Sequence, residues 1–421
     1  MPAPFPAANQ EALDAVLKQL YRDPNYGEAT YKTAPLVGLL PKFTSFVGKS
    51  MPIPIRWATP AGVSNSFDKA KANAYSSRFS AFQLTQSRIY GTAEIDGLTA
   101  DASDTDAGSF IKAFTSEIDG VMESVTQKLE TDLFRSGTGS LGTVLSGQAT
   151  NTITLGNIND VVNFEVGMTV VASAAPDTFP IAANRVGTVI IAKVDRNAGT
   201  LTSQGASWVA GIGAIVPTDV LMREGDLNAA FTGLQAWMPA VVTPTLFYGV
   251  DRTDDVVRLG GNRYDASTTG ELIEESLIEG QGRAAREGGR PDTIFMNNLD
   301  FRRLVKSVGS KVMYPRDSTR KAIGEKGLSG DISFQTLRLQ GDYGPMDVLS
   351  SPKCPQGKAF VLQMDTWSLN SLGTVPKILM RDGLRIQRHP DKDAYVVRVG
   401  GYGNLGCNHP GANCLVTLPS N

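Results

Sequence analysis

Cysteine, histidine and long apolar runs are all scarce in this sequence. The 421 residues include three cysteines and two histidines, and a small, odd number of cysteines in a long chain argues against a disulfide framework and favours a reducing compartment. No stretch approaches the ~18 consecutive apolar residues that a membrane span needs. The first residues show neither the basic segment nor the apolar core of a secretory signal. These absences predict a protein that is made in the cytoplasm and contacts no membrane.

Charge is also scarce, and neither sign dominates. Lys and Arg together number 40 and Asp and Glu 42, a formal net charge of -2, which excludes the strongly basic surface of a dedicated DNA-binding domain. Charged residues make up 19% of the chain, below the ~25% usual for soluble domains. A low charge density suits a protein whose surface largely becomes interface. At roughly 100–200 residues per domain, the length allows about two to four domains.

Two glycine-containing motifs match nucleotide-binding sequences in their letters alone. GYGNLG at residues 401–406 matches G-x-G-x-x-G, but a Cys-Asn-His-Pro sequence follows where a dinucleotide site needs a helix. A glycine-bent end of a strand is the better interpretation. Gly48, Lys49 and Ser50 are the last three letters of a P-loop, yet Phe43 occupies the position of the leading glycine that lets backbone amides surround a phosphate. The sequence therefore predicts neither a dinucleotide site nor a P-loop ATPase.

The candidate metal ligands and catalytic residues do not form a recognisable pattern. Cys407, His409 and Cys414 lie close in sequence, but their spacing is not that of a zinc site, and buried thiols that behave as small apolar side chains are the simpler interpretation. His389 and His409 each precede a proline, and no nucleophile-elbow sequence accompanies them. We therefore expect no enzyme, and no catalytic, cofactor-binding or metal-binding residue.

The first hundred residues predict an arm followed by a projecting hairpin. Residues 1–50 combine a short amphipathic helix, over 11–20, with turn-rich sequence. Residues 51–100 show the period-two alternation of strands, and a polar tip at 61–77 separates the two runs. The alternating apolar residues are Ile53, Ile55, Trp57, Phe82 and Leu84. Two long strands with a polar tip have little core of their own.

The strongest helical pattern covers residues 101–137, which we expect to be the spine of a domain. Asp104 and Thr105 are candidate N-caps, Arg135 complements the negative end of the helix dipole, and Gly137 is a candidate stop. The residues of its apolar face are Ala107, Phe110, Ile111, Phe114, Ile118, Val121, Met122, Val125, Leu129 and Leu133. The carboxylates predicted to be solvated or salt-bridged on its polar side are Glu117, Glu123, Glu130 and Asp132.

The remaining sequence divides into three segments. Residues 138–225 carry short strand patterns separated by turns, including a hairpin at 194–202, and predict a small β-barrel or sandwich inserted between two parts of a larger domain. Residues 226–376 are mixed α/β, and residues 377–421 return to strands. Within these last segments the predicted elements are a helix over 271–286, a buried run at 293–296, a helix capped by Asn298, and strands at 377–387 and 394–399.

This order, and two local sequences, resemble the major capsid proteins of tailed phages with the Hong Kong 97 phage fold. The first sequence, at residues 275–304, is a helix, a Pro-Asp turn, a short buried strand ending in Asn, and a second helix. The second, at residues 382–410, is similar to the late strands of such proteins. The resemblance implies an α+β fold with an N-terminal arm, an extended loop or E-loop (51–100), a peripheral domain built on a spine helix (101–137) and an axial domain. The β-domain at 138–225 departs from the minimal pattern, although inserted β-domains are known in the family.

The resemblance also implies a function and partners. The protein would be a major capsid protein that assembles in the host cytoplasm into hexamers and pentamers of an icosahedral virion shell around double-stranded DNA. Its other expected partners are a scaffolding protein, a portal and a decoration protein, with non-specific contact to the packaged DNA. Lys69 and Lys71 could form isopeptide bonds, as in some relatives, but solvated lysines are the simpler interpretation.

Two alternatives stay open at this point. An encapsulin-type nanocompartment shares the fold and packages an enzyme instead of a genome, so the content of purified particles separates the two. A soluble hydrolase with an α/β domain and a β-domain needs a clustered catalytic constellation, and the sequence shows none.

Overall fold

The computed structural model of the protein describes residues 34–97, 113–174, 176–181, 184–308, 337–380 and 386–419, with side chains of the long helix described from residue 117 onward. The α-helices are α1 (Pro35–Leu39), α2 (Phe67–Ala72), α3 (Ala113–Phe134), α4 (Trp208–Gly211), α5 (Leu234–Trp237), α6 (Ile273–Arg286) and α7 (Asn298–Val308). Short 3-10 helices span Ile158–Asn163, Met364–Thr366 and Pro410–Ala412.

The strands are numbered in chain order. They are β1 (Lys42–Phe43), β2 (Ser50–Ala58), β3 (Arg78–Thr85), β4 (Ser87–Asp96), β5 (Ser140–Ser146), β6 (Thr152–Leu155), β7 (Thr169–Ser173), β8 (Val189–Asp195), β9 (Thr200–Ser203), β10 (Val220–Arg223), β11 (Asn262–Asp265), β12 (Thr293–Met296), β13 (Leu337–Gly341), β14 (Gly344–Ser350), β15 (Lys358–Leu362), β16 (Trp367–Ser371), β17 (Lys377–Ile378), β18 (Gln387–Arg388), β19 (Ala394–Cys407) and β20 (Cys414–Thr417).

Contacts between residues divide the chain into two compact units. Unit 1 consists of the described residues within Met1–Trp237, Thr243–Arg252 and Trp367–Asn408. Unit 2 consists of the described residues within Met238–Val242, Thr253–Thr366 and His409–Asn421. Each unit therefore combines segments that are distant in sequence.

The main sheet of unit 1 supports the long helix α3. Its strand order is β1-β16-β19-β17, and β4 and β18 also pair with β19. A Cβ on Gly91 of β4 would lie 2.6 Å from Cγ2 of Val125 and 2.7 Å from Cγ1 of Val121, so the absence of a side chain there lets the helix approach the strand. Val125, Leu129 and Leu133, all on the predicted apolar face, are buried.

A closed β-barrel follows α3 in unit 1. Its strand order is β10-β5-β6-β9-β8-β7, with β7 pairing back to β10, and the predicted hairpin at 194–202 is confirmed by the antiparallel pairing of β8 with β9. Alternate side chains of these strands fill the interior. The barrel core contains Leu141, Val144, Ile153, Leu155, Val161, Phe164, Val170, Ala172, Val189, Ile191, Leu201, Trp208, Ile212, Ile215 and Leu221. The barrel thus has an apolar core of its own.

Unit 2 is built on a mixed sheet with strand order β11-β20-β15-β12-β14-β13. The pairs β11/β20 and β12/β14 are parallel, and the other pairs are antiparallel. Helix α6 packs on this sheet closely enough that a Cβ on Gly280 would lie 2.6 Å from Cγ2 of Val416. The predicted helix over 271–286 and the buried run at 293–296 are confirmed as α6 and β12, and every residue of β12 is buried.

The cap of α7 differs from the prediction. Asn298 is the first helical residue, and the Oδ1 of Asn297 accepts a hydrogen bond from the N–H of Leu299 at 3.0 Å. Asn297 is buried, and its Nδ2 donates to the carbonyl of Cys354 at 2.8 Å. This second bond fixes the side chain of Asn297 in place, so the capping role belongs to Asn297 and not to Asn298.

The C-terminal strands also differ from the prediction. β19 does not end near residue 399 but continues to Cys407, so the GYGNLG sequence forms the C-terminal part of this strand. A Cβ on Gly403 would lie 2.4 Å from the carbonyl oxygen of Asn370 on β16. Glycine is therefore required here by the close approach of a neighbouring strand.

Some expected features lie outside the described residues. These are the amphipathic helix over 11–20 and the start of the long helix, including Asp104 and Thr105. The other end of α3 is described, and Gly137 has a φ of 87°, the left-handed conformation in which glycine commonly follows a helix.

Candidate assembly interface

Strands β2 and β3 form a two-stranded antiparallel sheet whose two faces differ in exposure. Successive side chains of a strand point to opposite faces, so the register between the strands decides which residues share a face. The buried face carries Ile53, Ile55, Phe82 and Leu84, and the exposed face carries Pro52, Pro54, Arg56, Phe79 and Gln83. The hairpin predicted from alternation is therefore confirmed, with one apolar face and one open face.

The tip between β2 and β3 contains helix α2, none of whose residues is buried. The tip is less polar than its sequence predicts, because Val63, Phe67 and Tyr75 are 89%, 79% and 70% exposed. Phe79, at the start of β3, is 69% exposed. Large apolar side chains exposed on one segment are typical of a surface that contacts another molecule.

The hairpin carries charge of the opposite sign to the rest of the chain. Residues 50–85 contain four basic residues and one acidic residue, a net charge of +3, while the whole chain has a net charge of -2, which leaves -5 for the remainder. The basic residues are Arg56, Lys69, Lys71 and Arg78, and all four are exposed. The hairpin therefore presents a basic and partly apolar surface to its surroundings.

Asn404 on β19 holds the base of the hairpin. Its Oδ1 accepts the N–H of Thr232 at 2.7 Å, and its Nδ2 donates to the carbonyl of Thr85 at 3.1 Å and to the hydroxyl of Tyr248 at 2.8 Å. Burial raises the pKa of Tyr248 to about 12, so its hydroxyl keeps its proton and donates to Oγ1 of Thr232. Thr85 is the last residue of β3, so this buried amide ties the strand to the main sheet.

Aromatic packing and one backbone hydrogen bond also hold β3. The ring of Phe82 packs edge-on against Trp237 and Phe247, with centroids 5.0 and 6.2 Å apart. The N–H of Gln83 donates to the carbonyl of Tyr248 at 2.9 Å. The hairpin is thus fixed at its base by buried contacts, whereas its tip has no buried residue in α2.

Solved structures match this chain along nearly its whole length. A chain of the capsid asymmetric unit of cyanophage A-1(L) is 11% identical in sequence, and the match covers 95% of this chain and 96% of that chain with a TM-score of 0.55. This chain has the fold of a phage capsid subunit. A structure from Mycobacterium phage Bobi (11% identity, 98% of both chains, TM-score 0.44) also matches, as does the holo-SrpI encapsulin complex from Synechococcus elongatus (11% identity, 93% of this chain and 92% of that chain, TM-score 0.44). No protein-family model and no curated protein matches the sequence.

Glu130 of α3, predicted to be a solvated or salt-bridged surface residue, is buried. Its Oε1 accepts the N–H of Leu36 at 3.1 Å, and its Oε2 accepts the N–H of Val37 at 2.9 Å. Both N–H groups belong to the first turn of α1, where backbone donors have no partner within the helix. A carboxylate that accepts two such bonds is held more strongly than a neutral cap would be. Glu130 therefore joins α1 to α3.

A second carboxylate of α3, Asp132, is buried in an ion-pair network. The Nζ of Lys128 lies 3.0 Å from Oδ2 of Asp132 and 2.8 Å from Oδ2 of Asp226. Burial alone would lower the pKa of Lys128, but the two carboxylates outweigh burial and raise it, so the lysine stays cationic. Near the end of the helix, Arg135 pairs with Asp160 of the barrel at 2.6 Å. These charges link α3 to the barrel and to the segment that follows it.

The remaining sequence-predicted residues occupy ordinary structural positions in the capsid fold. Cys354, Cys407 and Cys414 are buried and form no disulfide. Burial raises the pKa of Cys414 to about 12, which makes this thiol unreactive. Gly48 leads into β2 and not into a helix that could bind phosphate.

In the described ranges, no group of three or more His, Cys, Asp or Glu could hold a metal ion. Of the helices that the structure describes, none has the length and apolarity to cross a membrane.

Proposed function

We propose that this chain is the major capsid protein of a tailed bacteriophage, which assembles into hexamers and pentamers of an icosahedral shell around the double-stranded DNA genome. The observation that carries this proposal is the hairpin of β2 and β3, anchored at its base and exposed at an apolar, basic tip. Such a surface is a liability in a monomer. Many identical copies in closed symmetry give every hairpin a neighbour that covers it.

The finer Hong Kong 97 assignment is part of the same proposal. Residues 1–50 are the N-terminal arm, residues 51–100 contain the E-loop, and α3 is the spine of the peripheral domain. The barrel within 138–225 is an inserted domain, residues 226–376 form the axial domain, and residues 377–421 supply returning strands. The separate apolar core of the barrel supports its assignment as an insertion.

The role we propose is structural and not enzymatic. The subunit is assembled in the host cytoplasm and resides in the virion, and its further partners are a scaffolding protein, a portal and a decoration protein. A net charge of -2 suits a shell that encloses DNA through non-specific contacts and does not bind it tightly.

Sedimentation and negative-stain microscopy of the full-length protein test the proposal. We expect capsomers or closed shells at moderate concentration, alone or with the scaffolding protein of the same phage. A compact monomer at every salt concentration tested, with scaffold supplied, would overturn it. In particles purified from infected cells, we expect nuclease-protected DNA. Particles that hold an enzyme and no DNA would establish the encapsulin alternative instead.

A further inference from the structure

The β-barrel has a free end, opposite to the end at which it joins α3. Neighbouring strands of the barrel run in opposite directions, so the start of β5 and the end of β10, which connect to the rest of unit 1, lie at one end. The connections at the other end include residues 147–151, between β5 and β6, and residues 204–219, between β9 and β10. Helix α4 lies in the second connection, and the side chain of Trp208 at its start is buried in the barrel core.

Four exposed aliphatic side chains lie on or beside the connection at 204–219, and together they form an apolar patch. They are Leu145 (56% exposed), Val186 (85%), Val209 (43%) and Val216 (45%). The carbonyl of Val186 accepts the N–H of Gly213 at 2.8 Å. Leu145 follows Val144, whose carbonyl accepts the N–H of Thr218 at 2.7 Å. Exposed apolar side chains that are grouped in this way are typical of a surface that contacts another molecule.

The backbone that carries the patch is held in one shape. Ala214 and Thr218 have φ angles of 59° and 75°, a left-handed conformation that is uncommon for residues with a Cβ and that persists where the surrounding structure fixes it. The carboxylate of Asp219 accepts the N–H of Val216 at 2.9 Å. The patch is therefore preformed, which lowers the entropy lost when it is bound.

The segments that carry the patch contribute no uncompensated charge. Residues 145–151 and 204–218 contain no Asp, Glu, Lys or Arg. Arg185, next to Val186, forms a bidentate ion pair with Asp219, in which Nη2 lies 2.8 Å from Oδ1. Because like charges that face each other disfavour association, a charged patch could not meet its own copy. A neutral patch can.

We propose that the apolar patch contacts the same patch on a second copy of this chain, so that neighbouring barrels meet through their free ends. This inference rests on the proposed self-assembly. Closed symmetry brings identical surfaces of different subunits together. The barrel has a core of its own and joins the rest of unit 1 at its other end, so the patch is presented away from the point of attachment.

The size of the patch favours a second copy over a separate protein. A specific interface buries about 800 Å² on each partner, more than four partly exposed aliphatic side chains provide. A copy that is held in the same shell needs a smaller surface, because the other contacts of the subunits keep the two patches at a high effective concentration. The patch therefore supplies a weak contact that is repeated many times in the assembled particle.

Opposite charges placed at Val186 test the contact in the full-length protein. Val186→Lys and Val186→Glu are each assembled alone and as an equimolar mixture. The matched controls are Val166→Lys and Val166→Glu, because Val166 is also 56% exposed but lies in the connection that leads into β7, at the opposite end of the barrel. Circular dichroism and thermal melting establish that each variant folds. Light scattering and electron microscopy then give the critical concentration for assembly.

We expect each Val186 variant to fold and to raise the critical concentration about tenfold or more, because like charges then face each other at every contact. The equimolar mixture should return it towards the value of the unmodified chain, and the Val166 variants should assemble normally.

Normal assembly of both folded Val186 variants would overturn the inference and leave the proposed function intact. Failed assembly without rescue in the mixture, or failure of only one charge, would mean that the patch contacts a different surface and would also overturn it. If the Val186 variants do not fold, Val216→Lys and Val216→Glu provide the same test. Absence of assembly by the unmodified chain would instead contradict the proposed function.

Discussion

Lys128 is a single cation between two carboxylates, Asp132 and Asp226, at distances of 3.0 and 2.8 Å. Its side chain is 12% exposed and that of Asp132 is 4% exposed. Lys128→Met would leave two carboxylates facing each other with little water. Breaking a buried pair by removing one partner costs about 3–5 kcal/mol. We therefore expect the free energy of unfolding to fall by about that amount and the thermal midpoint, followed by circular dichroism, to fall with it. Lys128→Arg, which keeps the charge, should lose less, and a Lys128→Met variant that melts like the unmodified protein would contradict the prediction.

The hydrogen-bond partners of two buried side chains, Glu130 and Asn404, could not be predicted from the sequence. Glu130 is predicted to be solvated or salt-bridged at the surface because its neighbours in sequence place it on the polar side of a helix. It is buried because the first turn of α1, more than ninety residues earlier, supplies two N–H donors. Asn404 is similar, since Thr85 and Thr232 are remote from it in sequence. Hydrogen-bond partners that are remote in sequence are brought together only by the tertiary fold, so no local sequence pattern predicts them.

At the scale of elements, the barrel is joined to the rest of unit 1 at neighbouring points. Ser140 at the start of β5 pairs with Met222 near the end of β10, so the two ends of the segment lie side by side. We predict that deletion of residues 140–223, with a short Gly/Ser linker, leaves the remaining chain folded, because closing a loop depends only weakly on its length. Secondary structure and a cooperative melt measured on the shortened protein test this. An insoluble or unfolded product would mean that the barrel belongs to the main core.

Elements with strong local periodicity are those the sequence predicts well. Alternation of Ile53 and Ile55 with prolines predicts β2, and helical spacing of Val125, Leu129 and Leu133 predicts α3. Register and strand ends are different, because they depend on the partner strand. β19 continues through its glycines since Gly403 meets the backbone of Asn370, and the sequence alone gives no sign of that approach.

At the scale of the whole molecule, the proposed function requires that folding and assembly depend on different surfaces. The buried face of the hairpin and the contacts around Asn404 belong to folding. The tip at 62–76 includes α2, which has no buried residue, and so contributes little to the stability of the single subunit. In the proposed capsid, contact with another copy would cover this exposed surface.

Replacing residues 62–76 by Asn-Gly, a favoured connection of antiparallel strands, tests this separation. We predict a subunit with unchanged circular dichroism and nearly unchanged thermal midpoint, because no buried contact of α2 is removed. The shortened subunit should form no closed particles, or aberrant ones, since the lost contact recurs at every symmetry-related interface. Both properties are measured on one sample, by melting and by electron microscopy. A shortened protein that forms normal shells would show that the tip has no part in assembly, whereas loss of folding would place the tip in the core of the subunit. The combination of an intact fold with failed assembly is the outcome that only an intersubunit role of the tip explains.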